Sequence, residues 1–169
     1  VEWCKKNISH DFPNFNFKHV DIINKEYNPN GTIVASDFKF PYPDNSFDLV
    51  GLGSVFTHML PNEVAHYLEE VSRVLKVGGR TLITYFLLDD EAKKLIKSKE
   101  GIPFSGRALD FKYKGENYRT IDVTLPELAV ALELSFIELC YKKVGLQINN
   151  PIYYGSWCAR KKVLGNQDM

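Results

Sequence analysis

The sequence has no surplus charge of either sign. Lys plus Arg, 21, equals Asp plus Glu, 21. Such a chain exerts no long-range pull on a polyanion, so nucleic acid is not expected as a partner. It has no run of about 18 apolar residues, and no membrane-spanning helix is expected. The opening residues, Val1-Glu2-Trp3-Cys4-Lys5-Lys6, lack the apolar stretch of a signal peptide. Cysteine is scarce. Cys4, Cys140 and Cys158 are odd in number and have no metal-ligand spacing; they read as reduced, buried thiols of a cytoplasmic protein, with no metal expected. No G-x-G-x-x-G and no Walker loop is present, which argues against half of a nucleotide-binding dehydrogenase. Gly51-Leu52-Gly53-Ser54 is followed by Phe56 where a nucleophile elbow needs its second glycine, which argues against a Ser-His hydrolase.

What is present is ordinary globular material. The 169 residues are 44% apolar and 25% charged, enough for one domain with a core. Aromatic residues reach 13%, ample for pocket walls. Residues 1–9 read as the tail of an amphipathic helix, and 15–23 (FNFKHVDII) as a strand. Turn clusters at Asn28-Pro29-Asn30-Gly31 and Pro41 to Ser46 make 24–46 a loop. Residues 47–53 (FDLVGLG) are a short apolar run, the mark of a buried parallel strand. The strongest helix spans 61–76, with Val64, Tyr67, Leu68, Val71, Val74 and Leu75 on one stripe, Pro61 near the start and Gly78-Gly79 as its stop. Residues 80–88 read as a second buried strand, 89–98 as a short helix, 109–123 as a hairpin, and 125–134 as a helix. Residues 136–144 and 153–161 read as closing antiparallel strands. Strand, helix, strand in the middle predicts an α/β fold with a mostly parallel sheet.

Ligands in open parallel sheets bind beyond the carboxyl ends of the strands. Three such ends carry candidate residues. Asp21-Ile22 ends the first strand; its carboxylate suits an amino or hydroxyl group of a nucleotide-like ligand, the plainer alternative being a solvated turn acid. Gly51 to His58 ends the second. Its glycines let a ligand approach the backbone, and Ser54 and His58 add a hydroxyl and an imidazole. His58 is the candidate base, against the commoner role of a structural histidine. Tyr85-Phe86 ends the third, as pocket wall or as plain core.

Two stretches carry a family resemblance. Phe40-Pro41-Tyr42-Pro43-Asp44-Asn45-Ser46-Phe47-Asp48-Leu49-Val50 resembles the L-P-F-x-D-x-S-F-D-x-V stretch of class I S-adenosylmethionine-dependent methyltransferases. Leu68-Glu69-Glu70-Val71-Ser72-Arg73-Val74-Leu75-Lys76-Val77-Gly78-Gly79-Arg80-Thr81-Leu82 is similar to their E-x-x-R-V-L-K-P-G-G-x-L motif, with Val77 in place of the usual proline. Between them, Ser54 to Met59 resembles the segment leading toward the methyl donor. Residues 154–160 look like the family's last strand.

The resemblance implies a Rossmann-like, mostly parallel sheet with an antiparallel closing hairpin, and S-adenosyl-L-methionine as cofactor. It places Asp21, with Ile22, near the adenine amino group, with Asp37 as rival. It places Gly53, Ser54 and Val55 along the methionine part and His58 on the substrate side as the candidate catalytic residue; Tyr85 and Phe86, as aromatics at a strand mouth, are the expected substrate walls. The family's glycine-rich first turn has no counterpart, so residues 1–169 read as a single partial domain, truncated at the N-terminus. Strand exchange or a homo-oligomer is then expected to cover open sheet edges. Residues 99–123, with Phe104, Phe111, Tyr113 and Tyr118, read as a substrate-side insertion or a surface hairpin. The expected activity is methyl transfer to a small molecule. The alternative is a catalytically inactive methyltransferase-like fragment serving as an interaction module.

Overall fold

The computed structural model describes residues 1–98, 103–104, 107–161 and 163–169, with the backbone alone at 103–104 and 107–108. Its centre is a parallel β-α-β unit. Strand β1 (Phe47–Leu52) leads through helix α2 (Pro61–Val74) to β2 (Leu75–Ile83), following a first short helix α1 (Glu2–Asn7). Helix α2 forms where its apolar stripe demands it. Val64, Leu68, Val71 and Val74 are buried, and Tyr67 nearly so, each such side chain contributing roughly 1.5–3 kcal/mol. Pro61 fits the first turn, and the Glu63 carboxylate accepts the Leu60 N–H at 2.8 Å.

The helix stops at Val74, two residues before the expected end, because the loop ahead of β1 takes its last carbonyls. Asn45 N–H donates to Arg73 O at 3.0 Å and Ser46 N–H to Val74 O at 2.8 Å. The glycine pair therefore does different work from the helix stop expected. Phe47 pairs with Leu75 and Leu49 with Arg80, so residues 76–79 bulge out of β2. Val77 at the tip is wholly exposed, and Gly78 has φ +79°. A Cβ on Gly79 would stand 2.9 Å from Lys76 O and 3.2 Å from Phe47 O, so only glycine lets the bulge close against β1.

The single strand expected over 80–88 is broken. After β2 the chain bends and resumes as β3 (Leu87–Leu88), then α3 (Asp90–Ser98), a two-residue antiparallel pair β4 (Pro103–Phe104) and β5 (Arg107–Ala108), β6 (Tyr113–Lys114), β7 (Tyr118–Thr120), β8 (Val130–Glu133) and α4 (Leu134–Val144). The expected hairpin within 109–123 exists as β6–β7, with Tyr113 opposite Thr120. Of the 99–123 stretch, 99–102, 105, 106 and the Phe104 side chain lie outside the described residues.

Three expectations from the C-terminal half are corrected. Residues 125–134 hold a 3-10 turn at Pro126–Leu128 and then strand β8, not a helix. Residues 136–144 lie in helix α4, not a strand. Residues 153–161 form no ladder. The expected closing hairpin is thus absent from these segments. The sheet β3-β8-β7-β6 has β8 at its centre, parallel to β3 and antiparallel to β7. Its alternating side chains divide two apolar clusters. Tyr85, Leu87, Val130 and Leu132 face α2 and α4. Phe86, Leu88, Ala129 and Ala131 face Phe111, Trp157 and Cys158. The fold is therefore mixed α/β, with parallel pairing at β1–β2 and β3–β8. Residues 15–23 are extended without a ladder; only the bridges Ile22–Ile33 and Asn24–Asn28 form, because no strand lies alongside 15–21 among the described residues. No helix among them is long and apolar enough to cross a membrane.

Candidate functional site

The carboxyl end of β1 opens onto a cavity of about 420 Å³, walled by parts of the 19–28 segment, Ile22, Asn24 and Tyr27 among them, on one side and by Ser54, Val55 and His58 with Glu63 and Tyr67 of α2 on the other. Local sequence builds each wall. Gly31 lets the 21–33 loop fold back on itself, since a Cβ there would lie 2.6 Å from the Ile22 carbonyl. Asn24 fixes the loop to the site: its Nδ2 donates to His58 O at 3.0 Å, and its Oδ1 accepts from Glu26 and Tyr27 N–H at 3.1 and 3.0 Å.

Ser54 has φ +57°, a left-handed conformation that costs a non-glycine residue about 1–3 kcal/mol and recurs at ligand sites. It is held by Ser54 N–H donating to Thr84 Oγ1 at 2.8 Å and by its own hydroxyl, 3.1 Å from Gln167 Oε1. A Cβ on Gly51 or Gly53 would meet nothing within 4 Å, so the backbone at the end of β1 is bare.

His58 lies in a 3-10 turn, Phe56–His58, and both ring nitrogens are engaged. Nδ1 is 2.9 Å from the Glu127 carbonyl, which can only accept, so Nδ1 carries a hydrogen. In the neutral ring Nε2 then accepts from the Tyr27 hydroxyl at 3.2 Å, the two rings meeting edge-on at 4.9 Å.

Burial raises the Glu63 pKa, the Leu60 N–H opposes that, and the Glu127 carboxylate adds to the rise. Burial, with Glu63 nearby, pushes the Tyr67 hydroxyl up to about 12. Asp21 is held below the usual carboxylate range by Asn28 and then Thr32. Its oxygens accept Asn28 Nδ2 at 2.9 Å, Thr32 Oγ1 at 2.8 Å and Thr32 N–H at 3.2 Å.

The cavity brings together Ile22, Ser54, Val55 and His58. Asp21 stands next to its wall with its carboxylate committed to the loop. Asp37 is exposed, its carboxylate 3.4 Å from the Ser36 hydroxyl. Tyr85 and Phe86 are elsewhere and apart, because neighbours on a strand point to opposite faces. Tyr85 lines a second cavity of about 710 Å³ along β2 and α4 and hydrogen-bonds Tyr141 at 2.7 Å. Phe86 packs against Phe111 and Trp157.

Sequence reasoning missed Tyr27, Glu63, Tyr67 and Glu127. Glu63 reads as a first-turn acid and Tyr67 as one more residue of an apolar stripe. Both assignments are right for the helix, and they hide that the upper turn of α2 also walls a cavity.

Residues 13–83 match the family model described as "Methyltransferase domain". Every residue of the cavity wall falls within that span. The two motifs noted above meet physically: Arg73 of the second binds the carbonyls of Phe40 and Tyr42 in the first at 2.9 Å each. Residues 13–83 are therefore similar to a methyltransferase domain, in agreement with the two motifs.

Proposed function

We propose that this domain methylates a small molecule, with S-adenosylmethionine as donor, at the cavity beyond the carboxyl end of β1. The observation that carries the reading is the shared hollow: the family-matched segment folds so that residues 19–28 and 54–58 wall one cavity. Its size, about 420 Å³, falls within the range of small-ligand pockets.

The residues present fit the donor. Gly53 itself does not line the cavity; beside it, the left-handed turn at Ser54 brings the main chain to the cavity wall, and open space around Gly53 leaves that backbone approachable. Gly53, Ser54 and Val55 would hold its methionine part. Ile22 would pack on the adenine side. Of the two acids that the family resemblance offers for that side, neither lines the cavity, and Asp37 is the freer, since Asp21 already accepts three hydrogen bonds. The donor supplies a methyl group already electrophilic on its sulfonium, so the chain's residues bind, orient and exclude water. His58 is placed to take a proton at Nε2 once the Tyr27 hydroxyl moves from it.

Isothermal titration with S-adenosylhomocysteine tests the reading. Binding in the micromolar range is expected; absence of heat at millimolar ligand overturns it.

A further inference from the structure

The polar side chains of the cavity wall are unequally satisfied. Asn24 is engaged by His58 O, Asn28 by Asp21 and Ile22, and His58 by Glu127 O and Tyr27. Glu63 spends one oxygen, Oε2, on the Leu60 N–H. Among the described residues, its Oε1 and the hydroxyl of Tyr67 make no hydrogen bond within the chain, although both side chains line the hollow. Among the described residues, Glu63 is the cavity's one carboxylate, and no Lys or Arg lines it. Lys25 is near enough to pull the Glu63 pKa down slightly, but no ion pair joins them among the described residues. The rings of Tyr27 and Tyr67 line the same hollow from opposite walls.

This set has a definite chemical complement. A half-buried carboxylate with a free oxygen is poorly solvated and gains from a cation that donates a hydrogen bond. Tyrosine rings favour an organic cation over a neutral group of the same shape. The free hydroxyl of Tyr67 accepts a second N–H. A phosphate or carboxylate ligand would meet Glu63 as a like charge with no guanidinium or ammonium in the wall to offset it.

We propose that the cavity binds a primary or secondary amine as its ammonium ion, which donates to Glu63 Oε1 and Tyr67 Oη and lies against the Tyr27 and Tyr67 rings. To act as methyl acceptor the bound ammonium must first lose a proton to a base such as His58 Nε2; the freed lone pair then forms the N–C bond as the S–C bond breaks and S-adenosylhomocysteine leaves. That role rests on the methyl-transfer reading above; as a binding site, it stands separately. The chemistry has one other source, the α-ammonium of the donor, and the experiment separates the two.

The full chain is titrated calorimetrically with 2-phenylethylamine, with its neutral isostere 2-phenylethanol, and with S-adenosylhomocysteine. The amine is expected to bind at least tenfold more tightly than the alcohol. Glu63→Gln keeps an oxygen for the Leu60 N–H and so keeps the helix start. It is expected to erase the tenfold preference while leaving the alcohol within twofold and S-adenosylhomocysteine unchanged. Lys25→Met is expected to leave the preference in place. Equal affinity of amine and alcohol for the unaltered chain overturns the proposal without any variant, as does a preference that survives Glu63→Gln. A Glu63→Gln loss confined to S-adenosylhomocysteine puts the donor's ammonium at Glu63 and overturns the acceptor assignment. An intact amine preference with no heat from S-adenosylhomocysteine instead overturns the methyl-transfer reading and leaves an amine site.

Discussion

Arg73 offers the sharpest test of how the domain is held together. Its guanidinium makes five hydrogen bonds: Nε and Nη2 to the two Glu70 oxygens at 2.8 and 2.6 Å, Nη1 to Asp44 Oδ1 at 2.8 Å and Tyr42 O at 2.9 Å, and Nη2 to Phe40 O at 2.9 Å. Glu70 Oε2 also accepts the Phe40 N–H at 2.6 Å. The side chains of Arg73 and Glu70 are only 18% and 9% exposed. Arg73→Met strands the Glu70 carboxylate away from water, removes the side-chain donor of the Tyr42 carbonyl and leaves the Phe40 carbonyl with the Tyr42 N–H alone. Breaking such a pair costs about 3–5 kcal/mol. Arg73→Lys keeps the charge and loses the fork; its single nitrogen cannot serve both Glu70 and the loop, and a loss of about 1–3 kcal/mol is expected. Removing both charges with Glu70→Leu and Arg73→Met should cost less than Arg73→Met alone, because no ion is left stranded.

The assay is urea unfolding followed by the fluorescence of Trp157, which is 1% exposed. The pH dependence has a fixed sign. The Arg73 hydrogen bond, against the opposing effect of burial, holds the Glu70 pKa below its usual value. That stabilisation is present above the unfolded-state pKa and is lost as pH falls through the lowered folded value. The gap between the unaltered chain and Arg73→Met should therefore be widest near pH 7 and narrow toward pH 3. A loss under about 1 kcal/mol for Arg73→Met at pH 7, a double variant worse than the single, or a gap that does not change with pH would each contradict a clamp held by this ion pair.

Glycines at the two ends of the β1–β2 pair should part company. Gly79→Ala should cost about 1–3 kcal/mol in a thermal melt, because its Cβ meets Lys76 O at 2.9 Å. Gly53→Ala should leave stability within about 0.5 kcal/mol and weaken S-adenosylhomocysteine in titration; unchanged binding would remove the β1 end from the donor site. Asp168 is fully buried. Its carboxylate accepts the N–H groups of Leu87, Gly155 and Trp157 at 2.6, 2.6 and 2.8 Å, so Asp168→Asn, which turns one acceptor into a donor, should cost about 1–3 kcal/mol in urea unfolding. Burial raises the Asp168 pKa against those hydrogen bonds. Stability from its protonation is present below the unfolded value and lost as pH rises through the folded one, so the Asp168→Asn penalty should grow between pH 7 and pH 4; a shrinking penalty contradicts this. Tyr27→Phe should uncover His58 Nε2 and speed its carbethoxylation by diethyl pyrocarbonate several-fold, read by mass spectrometry with His10 as internal reference; an unchanged rate would mean that Tyr27 does not cover it.

Where the sequence was legible, a local rule and a tertiary need coincided. Helix α2 shows its stripe because one face packs on a core and the other meets water. Strand β1 shows its apolar run, and the β6–β7 turn shows its Gly-Glu-Asn. In the stretch 125–144 the two halves depart from expectation for different reasons: local preference opposes the setting in the first half, and in the second a helical pattern competes with β-favouring side chains. Leu, Ala and Glu in residues 125–134 are good helix formers, yet Val130 to Glu133 sit between two strands with both faces covered, where alternation vanishes. Ile137, Cys140, Tyr141 and Val144 carry the helical stripe of α4, and Lys142-Lys143 before Gly145, at φ +75°, mark its end. That stop signal was present in the sequence and outvoted by β-favouring side chains.

The site divides along the same line. Ser54, Val55 and His58 were legible because glycines at a strand end announce a backbone that something approaches. The loop opposite was not, since what places Tyr27 over His58 is Asn24 reaching 34 residues along the chain to the His58 carbonyl, a contact that no spacing encodes. The family motifs show the converse. Read as sequence, Glu70 and Arg73 mark a helix and the Phe40-to-Asp48 stretch marks a loop entering a strand. In the fold they are one clamp, in which the fork of Arg73 closes on the backbone of that loop. The clamp fixes where β1 begins, and β1 fixes where Gly53 and Ser54 emerge at the cavity. The motif residues thus govern the site at a distance: loosening Arg73 should shift the mouth of β1 before it unfolds the domain, so in Arg73→Lys the affinity for S-adenosylhomocysteine should fall under conditions where the chain is still fully folded.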